Sequence, residues 1–406
     1  MTKKILRSKI IIPMVIAIGL MGCGSVKDGI WWQASGNGDL MVGSKNSRYI
    51  ISSDEPLAVL IGNKVFLDGG NAVDAMVATS IALGATQPLS AGLGAGGACQ
   101  ALLPNSGGDL IPVAFSFGGA SPADSAVAAL YQLQQQQGIM PWEKMVAPAE
   151  KLIRLGFQQN GATQLQKDNP FWRTEGGLTT MPELAESYSA LRLRPLSFIF
   201  GSKEGTMNYH YAANNLSYNP KMTRKTALQT LVVKNWQDLK FQPVNNVAGV
   251  ALEKNQGLSA YGRGWVNYLS NLNNSGAGRR VSRAGTGLME STVLAADESG
   301  RAISCHFALT DNIDSKPVQV KSMGFFAPQD GVKSMSARGF FIASNGSGTT
   351  KTTVSPRSLQ LQGLVSLGQS ARAVICKDDL SAGVFGDSCR WIKDETGLGL
   401  TLKGTR

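Results

Sequence analysis

Gly69-Gly70-Asn71-Ala72-Val73-Asp74-Ala75 opens the stretch whose reading decides the fold, and Pro88-Leu89-Ser90-Ala91-Gly92-Leu93-Gly94-Ala95-Gly96-Gly97-Ala98-Cys99 closes it. Asn71 is a strong helix N-cap, and the residues after it run Ala-rich and apolar nearly all round to Gly84, a stop signal. A helix of that kind belongs in the centre of a core. The glycine run that follows leads into an apolar strand ending at the hairpin-like turn Gly107-Gly108. Gly92-x-Gly94-x-x-Gly97 matches the dinucleotide fingerprint in letters only. A helix precedes it and a strand follows, the reverse of the context that chemistry needs. The glycines are expected instead to let backbone approach backbone closely. Upstream, Asp54 to Leu67 reads as short apolar strands around a Gly62-Asn63 turn.

The whole chain has 406 residues, 43% hydrophobic and 17% charged, which suffices for a sizeable core and excludes a disordered or disulfide-only scaffold. Only His210 and His306 are available as imidazoles, far apart in sequence, so no metal site is expected, and no cofactor either. Residues 1–22 read as a secretion signal: Lys3, Lys4, Arg7 and Lys9 precede a short apolar run, Ile10 to Leu20, too short to span a bilayer. Removing them takes away four positive charges and no negative ones, so the net charge falls from +11 to +7. That modest excess, without basic clusters interleaved with aromatics, excludes nucleic acid as an expected partner.

Leu20-Met21-Gly22-Cys23 resembles a bacterial lipobox, which implies cleavage before Cys23 and its lipidation. Gly24 in the next position favours the outer membrane of a Gram-negative envelope, with the protein facing the periplasm or the cell surface. Residues 23–50 are then expected to be a flexible tether and 51–406 a single domain. In an oxidising compartment Cys376 and Cys389 are the natural disulfide, while Cys99 and Cys305 either pair or stay buried.

The glycine-helix-glycine block resembles the opening signature of the γ-glutamyltranspeptidases, a family of N-terminal-nucleophile hydrolases. Weaker blocks follow in the family's order. Met140-Pro141-Trp142 with Ala147-Pro148-Ala149-Glu150-Lys151-Leu152 and Gly156-Phe157 is similar to one family helix, and Met181-Pro182-Glu183-Leu184-Ala185 to the next helix start. Trp236-Gln237-Asp238-Leu239 with Pro243 is similar to a strand approach, and Ala296-Asp297-Glu298-Ser299-Gly300-Arg301-Ala302-Ile303-Ser304 to the strand pair opening the small subunit. The residue pattern alone gives α+β. The resemblance implies more: a four-layer αββα sandwich of two stacked antiparallel sheets, with 51–289 large-subunit-like and 290–406 a shortened small-subunit-like part.

The chemistry implied by the resemblance is only partly present. The family cleaves itself before a threonine whose freed amine then activates its own hydroxyl. Counting back from Asp297 places Glu290 at that position, and glutamate cannot do this work. Ser291, one residue on, and Thr292 are the candidate catalytic residues. The family's carboxylate-clamping arginine falls at Gly118-Gly119-Ala120-Ser121-Pro122, which has none. Its amine-holding asparagine corresponds to Thr310. The remaining candidates for substrate binding are Asp330, the turn residues Ser334 and Ser336, and Gly346 with Gly348 for an oxyanion hole. Two functions are expected in consequence. One is a non-catalytic interaction module in the envelope, with a membrane leaflet and an envelope protein as partners. The other is a divergent γ-glutamyl hydrolase or transferase, acting on a γ-glutamyl compound through Ser291 or Thr292 after self-cleavage.

Overall fold

A computed structural model describes residues 31–33, 40–43, 47–108, 110–119, 121–160, 163, 169–214, 231–233, 241–243, 290–309, 317–329, 341–344, 349–354, 372–379, 389–392 and 399–405. Cys23, Thr310, Asp330, Ser334, Ser336, Gly346 and Gly348 lie outside them.

The strands in chain order begin with β1 (Trp31–Gln33), β2 (Leu40–Gly43), β3 (Tyr49–Ser53), β4 (Gly96–Pro104) and β5 (Leu110–Phe117). The short pairs β6 (Arg173–Glu175) with β7 (Leu178–Thr180) and β8 (Leu231–Val233) with β9 (Phe241–Pro243) come next. Then follow β10 (Glu290–Asp297), β11 (Ala302–Ala308), β12 (Val318–Val320), β13 (Phe325–Ala327), β14 (Phe341–Ser344), β15 (Thr349–Val354), β16 (Arg372–Asp379), β17 (Cys389–Ile392) and β18 (Leu400–Gly404). Eight of them form one sheet in the order β1-β2-β18-β3-β10-β11-β4-β5, antiparallel throughout except for the parallel pair β18 and β2. Strands β14 to β17 form a second antiparallel sheet, and its β15 lies against β10 and β11.

The opposite face of the large sheet is covered by helices. Helix α1 (Pro56–Leu67) packs on β3 and β18, and α2 (Ala72–Thr86) on β10. Helix α4 (Trp142–Leu155) lies beyond α2, and α5 (Pro182–Leu193) packs on α4. Helix α3 (Ala126–Gln137), α6 (Pro195–Phe200) and α7 (Met207–Ala213) are further helices among the described residues. The chain is thus an α+β sandwich with helices on one side of two stacked antiparallel sheets. An outer helical layer over the second sheet falls in no described segment.

Helix α2 is the centre of this core, as its sequence foretold: all of its residues are buried, and Asn71 and Asp74 form a reciprocal capping box. It runs two residues past the expected stop at Gly84, to Thr86. Two expectations are corrected. Residues read as strands around Gly62-Asn63 form the continuous helix α1, capped by the buried carboxylate of Glu55, which accepts from the N–H groups of Leu57 and Ala58 at 3.0 and 2.8 Å. Gly62 is no turn. A Cβ there would collide with Thr79 Oγ1 and sit 3.0 Å from Ala75 O, so glycine lets α1 lie directly on α2. The stretch read as a tether supplies β1 and β2, because Trp31-Trp32 and Leu40-Met41-Val42 bring strand-forming residues into a polar-looking leader.

The described disulfide joins Cys99 to Cys305, facing residues of β4 and β11 with Cα atoms 4.1 Å apart. Cys376 and Cys389 are directly opposed in the ladder of β16 and β17, the placement their expected pairing requires.

Candidate functional site

The first residues of β10 carry both candidate nucleophiles, and successive strand residues point to opposite faces of a sheet. Ser291 faces the helices. Its Oγ donates to Gln87 Oε1 and lies 2.5 Å from Ser90 Oγ, and Ser90 Oγ also donates to Gln87 O at 3.1 Å. Gln87 caps the C-terminus of α2 and Ser90 opens the glycine run, so the helix-to-glycine junction places both partners. Ser291 is fully buried and its proton is committed to an amide oxygen, which is not a base.

Thr292 faces the other way and is equally buried. Asp54 Oδ2 accepts from its backbone N–H at 2.6 Å and from its hydroxyl at 3.0 Å. Ser53, next to Asp54, donates to Thr292 O at 2.8 Å. The register sets His306 of β11 opposite Thr292. Sequence reasoning named Ser291 and Thr292 but missed Asp54, Gln87 and Ser90. Each lies more than two hundred residues away along the chain, and no local signal joins them.

Around this strand start the chain is densely polar and buried. Glu55, beside Asp54, accepts from Asn160 Nδ2 at 2.6 Å as well as capping α1, and burial pushes its carboxyl above the usual range against those hydrogen bonds. At the far end of β10, Asp297 accepts from Ala72 N at 2.8 Å and from Ser299 N at 2.9 Å. That carboxylate ties the strand-pair turn to the first turn of α2, joining two of the sequence blocks that carried the resemblance.

The glycine run behaves as close-packed backbone. A Cβ on Gly97 would strike His306 O and the Phe117 ring. The segment that lacks the clamping arginine leads into a single 3-10 turn, Pro122–Asp124, where burial raises the Asp124 carboxyl to about 6 although Gly118 donates a backbone hydrogen bond to it.

Residues 58–107, from α1 to the turn after β4, match the family model of γ-glutamyltranspeptidase. Glutathione hydrolase 2 of Arabidopsis thaliana is 26% identical over 182 residues, covering 35% of this chain and 31% of that protein. Glutathione hydrolase proenzyme 2 of Schizosaccharomyces pombe is 30% identical over 132 residues, covering 28% and 22%. The matched part thus spans less than a third of the length of these curated relatives. Among solved structures, cephalosporin acylase from Bacillus halodurans aligns at 12% identity and a TM-score of 0.47 over 75% of this chain and 71% of that one. With its capped helix and its glycine run, the chain is similar to the γ-glutamyltranspeptidases over residues 58–107.

Proposed function

We propose that this protein is a scaffold that keeps its family's architecture without γ-glutamyl transfer and serves as a non-catalytic interaction module of a bacterial envelope, tethered through a lipid on Cys23. The observation that carries this reading is the state of the two hydroxyls at the start of β10. Ser291 is held by Gln87 and Ser90, and Thr292 by Asp54. They are the second and third residues of the eight-residue strand β10, paired there with Phe307 and His306 of β11, and Glu290 stands before them. The glycine-rich segment at 118–122, without arginine, adds the loss of a substrate clamp.

Electrophoresis of the purified mature protein under denaturing conditions tests this. The scaffold reading expects one uncut chain and no release from a chromogenic γ-glutamyl donor above the Ser291→Ala, Thr292→Ala double variant. Two fragments with a boundary near residue 290, together with donor turnover lost in that variant, would overturn it.

One observation favours a second reading, a divergent γ-glutamyl hydrolase. If the bond before Thr292 were hydrolysed, the new ammonium would sit 2.6 Å from Asp54 Oδ2, a ready counter-ion. N-terminal sequencing of the smaller fragment would then begin at Thr292.

A further inference from the structure

A cavity of about 390 Å³ opens between α4, α5 and the β6–β7 hairpin. Its size is that of a small-molecule site. Ile153 and Ala185 contribute apolar lining, and the charges around it come in two ion pairs. Arg173 meets Glu183, and one turn along α5 Arg154 meets Glu186 at 2.9 Å.

The walls are built and held. Met181 N donates to Ile153 O at 3.2 Å, fixing the start of α5 against the end of α4, and Arg173 pairs with Thr180 across the hairpin. A 3-10 turn, Lys321–Met323, brings Ser322 to the rim. It is fastened by Ser187 Oγ, which donates to Met323 O at 2.9 Å, and by Gly324, where a Cβ would fall 2.5 Å from Leu184 N. Ser322 in turn shares a hydrogen bond of 2.9 Å with His210 Nδ1, linking α7 to the same rim. Elements far apart in sequence thus converge on one cavity.

The cations differ in how far they are spent. Arg154 gives one guanidinium nitrogen to Glu186 and the other to Glu150 and Ala185 O. Arg173 has one carboxylate contact and a side chain 63% exposed, so a planar donor fork remains for a second carboxylate. Glu186 is 73% exposed and turned to solvent beside its arginine. Exposed ion pairs of this sort hold each other weakly, so a ligand displaces little. A dianion would meet Glu183 and Glu186, and a dication would meet both arginines. A molecule with one carboxylate and one ammonium matches both pairs.

We infer that this cavity binds a zwitterionic amino acid or short peptide, its carboxylate on Arg173 and its ammonium at Glu186. Its lining includes neither Ser291 nor Thr292 nor the residues that hold them, and the inference does not depend on whether the chain cleaves itself.

Calorimetric titration of the mature full chain tests it with L-alanyl-L-alanine, its N-acetyl form and its C-terminal amide. The free dipeptide is expected to bind saturably, with each capped form weaker by about tenfold or more. In Arg173→Ala the difference between free dipeptide and amide should vanish. In Glu186→Gln the difference between free and N-acetyl dipeptide should vanish, with melting curves confirming that both variants are folded. Absence of saturable binding of the free dipeptide, capped forms binding as well as it does, or differences that persist in the folded variants would each overturn the inference.

Discussion

Asp54 Oδ2 accepts both the backbone N–H and the hydroxyl of Thr292, at 2.6 and 3.0 Å, closing the junction between β3 and β10 across 238 positions of sequence. One carboxylate oxygen thereby binds two donors of a residue that is 1% exposed. Asp54→Ala takes this acceptor from a buried strand start, which should cost about 2–4 kcal/mol. Asp54→Asn keeps an acceptor oxygen and should lose roughly half as much. Urea unfolding measures both, and a negligible loss in Asp54→Ala would show that the bonds to Thr292 contribute nothing.

The hydroxyl of Ser291 is engaged with Gln87 and Ser90 in a fully buried setting. Ser291→Ala should destabilise the protein by about 1–3 kcal/mol, because a buried amide oxygen loses its donor. Gln87→Ala and the double variant complete a mutant cycle, and coupling is expected since the residues touch. Additive losses would mean that Ser291 and Gln87 do not act together.

Much of this fold was legible in sequence, and the exceptions have physical causes. Helix α2 could be read because Asn71, Asp74 and an unbroken run of small apolar residues act within one helix. The hairpin of β10 and β11 was equally local, since Gly300 and Asp297 shape its turn. Helix α1 was misread because Gly62-Asn63 has the letters of a turn, while its purpose lies in α2, at Thr79 and Ala75. A truer signal was available in Glu55-Pro56, a capping carboxylate ahead of a proline in the first helical turn. At the candidate site Ser291 and Thr292 could be named from the family resemblance, but their partners are set by sheet order and helix placement. Ligand-binding residues expected at Asp330, Ser334, Ser336, Gly346 and Gly348 lie outside the described residues.

The Gly62 contact makes its own prediction. Glycine to alanine inside an exposed helix usually stabilises by roughly 0.5–1 kcal/mol. Here the added methyl meets Thr79 Oγ1 and Ala75 O, so Gly62→Ala should destabilise by about 1–3 kcal/mol. Thr79→Ala in the same chain removes the first clash and should restore part of the loss. A Gly62→Ala protein that melts above the parent would show that α1 and α2 do not pack this closely.

The two cysteine pairs differ in what they close. Cys99 and Cys305 are 206 positions apart, so their bond constrains a long loop in the unfolded chain. Replacing both by alanine should cost about 2–5 kcal/mol under oxidising conditions, and the parent should lose most of that advantage in a thiol reductant. Peptide mapping without reduction should recover the 99–305 link. The opposed placement of Cys376 and Cys389 makes a second linked peptide the expected companion. Its absence would show that these two thiols remain free.

Asp124 provides a pH dependence with a definite sign. Burial raises its carboxyl from 3.8 to about 6, against the hydrogen bond from Gly118. A raised folded-state value means that the native protein prefers the protonated acid. The stability this contributes is complete below about pH 4 and is lost as pH rises toward and through 6, because the unfolded chain gives up its proton more readily. Asp124→Asn stays neutral throughout while keeping an acceptor for Gly118 N–H. Its melting temperature relative to the parent should therefore climb between pH 4 and pH 7 and level off above. A flat difference across that range would mean that the acid at 124 is solvated, and that the segment lacking a cationic clamp does not enclose it.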